Sequence, residues 1–283
     1  MNFTHLHVHT EYSLLDGSNK IQEYVNRVKE LGMDSAAITD HGVMYGVIDF
    51  YRAARAAGIN PVLGCEVYVA PGSRFDREIG SGDDRYYHLV LLAENNQGYA
   101  NLMKIVSKSF VEGFYYKPRV DLQLLEKYHE GLIALSACLA GEVARYLTRG
   151  MYEDAKAAAL RYQDIFGKGN FFLELQDHGI PEQQNVNQQL LKMHRETGIE
   201  LVATNDVHYT LAEDAQPHDV LLCLQTGKKL SDENRMRYDG GQYYVKSPEE
   251  MERLFPYATE ALENTHKIAQ RCHVEIEFGV TKL

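Results

Sequence analysis

The chain of 283 residues is longer than a typical single domain, yet α/β barrels fill that length as one unit, and 45% hydrophobic content with 10% aromatics suits a sizeable core. A formal charge of −11 speaks against a protein that coats nucleic acid with its own basic surface, although carboxylates holding cations would reverse that sign locally. No apolar run approaches the roughly 20 residues of a membrane helix, no basic and apolar leader opens the chain, and Cys65, Cys138, Cys223 and Cys272 show no framework spacing, so the expected setting is cytoplasmic, with reduced thiols and no membrane partner.

Short β-rich runs alternate with helical stretches along the chain. A first run at residues 3–9 leads into a helical pattern over 21–31, and a second at 35–40 leads into one over 47–57. Runs at 61–69 and 88–93 precede a helix over 98–108. Further runs at 131–137, 171–176 and 200–204 are interleaved with helical segments at 142–147, 152–166 and 184–196. Ala155, Ala158, Ala159, Tyr162 and Phe166 recur at helical spacing within the longest of these. Such alternation argues for parallel β/α units. Seven strands suggest an α/β barrel near the eight-stranded type, with its site at the C-terminal strand ends.

Two stretches interrupt the pattern. Residues 72–85, GSRFDREIGSGDDR, are rich in Gly and charge and read as a mobile surface loop. Residues 113–121, GFYYKPRVD, are aromatic and basic and read as a binding loop. After Asp206 the chain turns mostly helical, then ends in residues 272–278, whose alternation reads as a strand lacking a partner.

The chemistry starts at His7 and His9. Residues two apart on a strand face the same way, so both imidazoles project together and make half a site for zinc or manganese. His5 shares that face one layer deeper and is better placed for packing. An HxH pair alone is weak evidence, but suitable residues recur where the barrel puts strand ends. Asp40 and His41 close the second strand, Glu66 lies within the third, Cys138 follows the fifth, and Asp206 and His208 follow the seventh. Asp16 stands in the loop after the first strand, and His88 sits awkwardly at the start of its strand. Each has an ordinary explanation alone, as a core histidine, a helix cap or an inert thiol. The whole set requires all those explanations at once.

HVHTEYSLLDG, ITDHG, GCEVY, the His of YYHLVLL, SACLAGE and TNDVHY resemble the PHP (polymerase and histidinol phosphatase) domain. GFYYKPRVD and QYYVKSPEEM resemble its polymerase branch, the domain at the N-terminus of bacterial replicative DNA polymerase III alpha subunits. The resemblance implies a distorted (β/α)7 barrel over residues 1–270, with 271–283 beginning a connection to a polymerase core. It implies about three divalent metal ions (Zn, Mn or Fe). His7, His9 and Asp206 would bind one, and Glu66 would bridge it to a second held with His88 and Cys138. Asp16, His41 and His208 would hold the third, so no ligand is missing.

The same resemblance implies 3′–5′ exonuclease proofreading, with a DNA 3′ end as substrate and the rest of the alpha subunit and replisome as partners. Tyr115, Lys117 and Arg119 are candidate substrate contacts, or else pack against neighbouring domains. Asp40 and His178 are candidates for orienting the ligands. Two alternatives stay open: a small-molecule phosphatase of the histidinol phosphate type, and a non-catalytic module that stabilises a polymerase.

Overall fold

Strands that are apolar on both faces must be covered on both, and those of this protein are. The computed structural model describes residues 2–78 and 84–281. Its strands are β1 (Ser35–Ile38), β2 (Asn60–Val69), β3 (Tyr87–Ala93), β4 (Arg119–Val120), β5 (Leu132–Leu135), β6 (Phe171–Leu175) and β7 (Leu201–Ala203), and almost every residue in them is buried. They pair in the order β1-β2-β3-β5-β6-β7, with the short β4 added to β2.

Residues 5–9 fill the gap between the two ends of this sheet. Ala37 N donates to His5 O (3.1 Å) and Thr39 N to Val8 O (2.9 Å) on one side; Val207 N donates to His7 O (3.0 Å) and His9 N to Val207 O (2.7 Å) on the other. The ring therefore has the seven staves expected for a distorted (β/α)7 barrel. Residues 3–9 do not form the regular strand expected of them: Val8 N bonds the hydroxyl of Thr39 (2.8 Å), and only Val8 and Val207 form a bridge.

One expectation about direction is corrected. β3 runs antiparallel to both β2 and β5, whereas the remaining main pairs are parallel. A parallel return needs a crossover, usually a helix. The connection between β2 and β3 carries no helix among its described residues, so the chain turns straight back.

Alternate residues fill the interior: Leu6, Ala37, Val62, Val90, Ile133 and Phe172 lie in one cluster with Ile268 and Ala269 of the helix Thr259–Arg271. That cluster forms an apolar floor beneath the site. The outward residues pack against the surrounding helices in a second cluster.

Of the stretch 72–85, residues 79–83 lie outside the described residues. Its flanks are tied down, Arg74 by Asp121 (3.0 Å) and Glu112 (2.7 Å), and Asp84 by Arg145 and Arg149 (both 2.8 Å). The described end of the chain forms no strand. It lies against the barrel through side chains, with Glu275 N on Asn96 Oδ1 (2.8 Å) and Ile276 N on the Tyr51 hydroxyl (3.2 Å).

Candidate metal centre

Backbone direction explains why residues at different sequence positions meet. β2 overhangs its neighbours, so Glu66 inside it bridges to His41 just beyond the end of β1. β3 is reversed, so His88 near its start arrives at the same end of the barrel as the C-termini of the other strands. In the antiparallel register Glu66 faces Val90 and Tyr68 faces His88, which puts all four side chains on the inner face.

The nine residues form three overlapping groups. In the first, His7 Nε2 lies 3.1 Å from Asp206 Oδ1, His9 Nε2 lies 3.2 Å from the same oxygen, and Glu66 Oε2 touches His7 and stands 3.8 Å from His9. In the second, Glu66 Oε1 is 3.1 Å from His88 Nδ1, which is 3.6 Å from Cys138 Sγ. In the third, Asp16 Oδ2 is 2.7 Å from His41 Nε2 and 3.1 Å from His208 Nε2. His41 Nδ1 reaches Glu66 Oε1 at 2.7 Å and joins the second and third groups. Nitrogen and oxygen ligands of one tetrahedral zinc lie roughly 3.3 Å apart, given bonds of about 2 Å.

The far side of three of the imidazoles is held. His7 Nδ1 meets Glu174 Oε2 (2.6 Å), which also accepts from Gln176 (2.7 Å) and Thr204 (2.8 Å). The Ser13 hydroxyl donates to Asp40 Oδ1 (2.8 Å) and so accepts from His9 Nδ1 (3.0 Å). Asp40, expected to orient a ligand, thus reaches His9 through Ser13. His208 Nδ1 donates to the carbonyl of Asp206 (2.6 Å). Each bond leaves the other ring nitrogen bare toward the cluster, the usual support for a metal-binding histidine. Glu174 escapes a reading of the sequence because FFLEL looks like an ordinary core strand.

His178 touches none of the nine residues. Its Nε2 donates to the carbonyl of Asn205 (2.7 Å), and its ring stacks on Tyr243 at 3.8 Å, so it holds the peptide preceding Asp206. His5 is a packing residue, bonded to the carbonyl of Lys246 (2.7 Å). The described non-glycine residues with positive φ are Leu15, Tyr116, Ala137 and Asp206. Three are, or immediately precede, members of the cluster, and the fourth precedes Lys117. Strain of this kind gathers where side chains must be aimed.

Four buried atoms of the cluster crowd one another without a well-directed hydrogen bond: His9 Nε2 against Asp206 Oδ1, and His41 Nδ1 against Glu66 Oε1. Their protonation states conflict. Burial opposes a charge on His7, yet Asp206, Glu174 and Glu66 hold its pKa well above the usual range, while burial and the neighbouring His41 push His9 down to about 3. Burial, then Glu66 and Asp206, push the Cys138 thiol well up, so that a thiolate there needs a cation beside it. Divalent cations would resolve this, by pairing these atoms and replacing the protons that the imidazoles compete for. The donor set of carboxylate, imidazole and one sulfur fits such ions.

The cluster opens into a cleft of about 500 Å³ whose mouth includes Tyr12, Tyr45, Tyr68, Tyr86, Phe114 and Tyr116. Lys117 also lines it, with Nζ 5.6 Å from the Tyr68 ring. The other two candidates from this loop lie elsewhere. Arg119 is 1% exposed, and its guanidinium donates to the carbonyls of Gly113 (3.0 Å), Arg74 (3.0 Å) and Asp76 (2.6 Å), so it is occupied in holding the loop. Tyr115 packs on Arg119 at 5.2 Å, and its neighbours Phe114 and Tyr116 face the cleft instead. No described helix is long and apolar enough to cross a membrane.

Curated relatives align along nearly the whole chain. DNA polymerase III subunit alpha of Treponema pallidum is 49% identical over 98% of this chain and 24% of its own length. The same subunit of Borreliella burgdorferi is 48% identical over 99% of this chain and 24% of its own length. The chain therefore spans about a quarter of the length of these relatives. Among solved structures, an amidohydrolase from Chromobacterium violaceum covers 74% of this chain and 88% of its own, at 15% identity and a TM-score of 0.48. The family model of the PHP domain matches residues 5–178, more than half of the chain, and on that match the chain belongs to the PHP domain family.

Proposed function

We propose that this chain is the phosphodiesterase part of a replicative DNA polymerase alpha subunit, and that it shortens DNA from the 3′ end as proofreading. On this reading residues 1–270 are the hydrolytic unit and 271–283 begin the connection to a polymerase core, with the remainder of the subunit and the replisome as partners. The observation that carries the reading is an aromatic cleft standing directly over the nine-residue cluster. A terminal nucleotide that has lost its pairing partner offers a flat base and a phosphate. Tyrosine rings stack on the base without regard to its identity.

The ligand set would hold about three divalent ions, as His7, His9, Glu66 and Asp206; Glu66, His88 and Cys138; and Asp16, His41 and His208. Three carboxylates and one thiolate give −4 against +6 from three such ions, which leaves a net +2 for phosphate in a protein of formal charge −11. Ions bound there would supply the positive charge that activates water and clamps phosphate oxygens. Zinc, manganese and iron all suit imidazole and carboxylate, and the thiolate leans toward zinc. Lys117 lines the cleft, where its ammonium would meet a phosphate of the incoming strand.

The test is release of nucleotides from a 3′-labelled single strand by the metal-loaded chain, beside Asp206→Ala, with p-nitrophenyl phosphate in parallel. Strand shortening that disappears in the variant supports the reading. Turnover of the monoester alone would replace it with a phosphatase. A fully loaded yet inactive protein would replace it with a structural module.

A further inference from the structure

Asp16 sits on a turn closed by its own backbone, with Asp16 N and Gly17 N both donating to the Ser13 carbonyl (3.0 and 2.9 Å), but those bonds leave the Asp16 carbonyl and carboxylate to be held from elsewhere. The preceding Leu15 adopts φ 61, a left-handed conformation unfavourable for a branched side chain unless its surroundings fix it. Two contacts reach the turn from some 200 residues further along the chain. His218 Nε2 donates to the carbonyl of Asp16 at 2.6 Å. The Tyr238 hydroxyl donates to Asp16 Oδ1 at 3.4 Å, while Oδ2, the other oxygen, faces His41 and His208.

These two residues belong to one unit. His218 lies on the helix Ala215–Thr226, and the segment that follows is pinned back onto this helix by Arg235, whose two terminal nitrogens pair with Asp219 at 2.6 and 2.7 Å. The pairing brings the rings of Tyr238 and His218 to 5.3 Å, and Tyr238 to 4.5 Å from His208. A hydrogen bond to Oδ1 opposes rotation of the carboxylate and favours Oδ2 as the oxygen turned toward a cation.

We propose that His218 and Tyr238 are positioning residues which assemble the third cation's site by clamping Asp16 from both ends, through its carbonyl and its outer carboxylate oxygen. The inference rests on the proposed three-ion reading. The clamp acts on the third group alone, because neither residue bonds a member of the other two.

The experiment is equilibrium dialysis of the 283-residue chain against Mn2+, with bound metal counted by elemental analysis. It compares wild type, Tyr238→Phe, His218→Leu and His218→Gln, and folding of each is checked by thermal melting in EDTA. Tyr238→Phe keeps the ring against His208 and removes only the hydroxyl. Wild type is expected to bind three ions. Tyr238→Phe and His218→Leu should bind one of them about 10–100-fold more weakly and the other two as before. His218→Gln, which keeps an N–H donor, should recover most of that loss. Three undiminished ions in folded Tyr238→Phe and His218→Leu would overturn this inference alone, as would equal weakening of all three. Two or fewer ions in wild type would overturn the three-ion reading and this inference with it.

Discussion

Glu66 Oε1 lies 3.1 Å from His88 Nδ1 although the two side chains project from strands that run in opposite directions. The other oxygen of the same carboxylate faces His7 and His9. One side chain therefore supplies two of the three groups, and its removal should be felt twice. Glu66→Gln is expected to lose two ions at once, each by more than about 100-fold in affinity, whereas His88→Ala should lose one. Metal content after dialysis distinguishes the cases; loss of a single ion in Glu66→Gln would show that the carboxylate does not bridge.

Glu174 accepts from His7, Gln176 and Thr204 through Oε2. Its contribution is to fix which nitrogen of His7 is bare and to raise the basicity of the ring. Glu174→Gln should weaken one ion by about 10–100-fold and leave the protein folded. A titration with Zn2+ against a competing chelator measures this, and unchanged affinity would mean that His7 is held well enough without it.

How much of this was legible in the sequence divides along physical lines. The nine cluster residues could be found because strand ends recur at regular intervals and each carries a His, Asp, Glu or Cys. His88 looked misplaced because strand direction is set by the connection from β2, and residue types do not encode direction. Glu174 was hidden by its apolar neighbours, and His218 and Tyr238 by their distance along the chain from Asp16. In GFYYKPRVD the composition pointed to a binding loop, but not to which of its side chains line the cleft. Alternation around the left-handed Tyr116 sends Phe114, Tyr116 and Lys117 outward and Arg119 inward.

That division of the loop gives a paired test. Lys117→Ala should raise KM for a single-stranded DNA substrate, change kcat little, and reduce the salt slope of binding by about 1. Arg119→Ala should instead strip the donors from three carbonyls, two of them buried, and lower stability by on the order of 3 kcal/mol. Urea denaturation and steady-state kinetics on both variants separate the two. A stable Arg119→Ala with raised KM would return that arginine to the substrate.

Metal removal should be visible in stability as well as activity. The crowded atoms His9 Nε2, His41 Nδ1, Glu66 Oε1 and Asp206 Oδ1 are buried at the end of the barrel, where only the folded state brings them together. An ion held at 1,000 times its Kd stabilises by about 4 kcal/mol, or roughly 10 °C in Tm for a protein of this size. Restoring Mn2+ to an EDTA-stripped sample should therefore raise Tm by at least that much. An unchanged Tm would mean that the folded chain has no preferential affinity for the ion.

His178 predicts the pH dependence of the stripped protein. Burial lowers its pKa from 6.5 to about 4, because a charged ring would sit unsolvated between Asn205 and Tyr243. The unfolded chain takes up this proton first, so the contribution is intact above pH 6.5 and is lost as pH falls from 6.5 toward 4. The full loss is about 3 kcal/mol by linkage. His178→Phe keeps the stack on Tyr243 and cannot titrate, but it leaves the Asn205 carbonyl without its donor, a cost of about 1 kcal/mol at neutral pH. The variant should therefore be the less stable protein at pH 7 and the gap should close or reverse by pH 4.5. Urea midpoints in EDTA at the two pH values measure the difference, in which the other histidines cancel. A gap independent of pH would show that the ring is solvated and titrates normally.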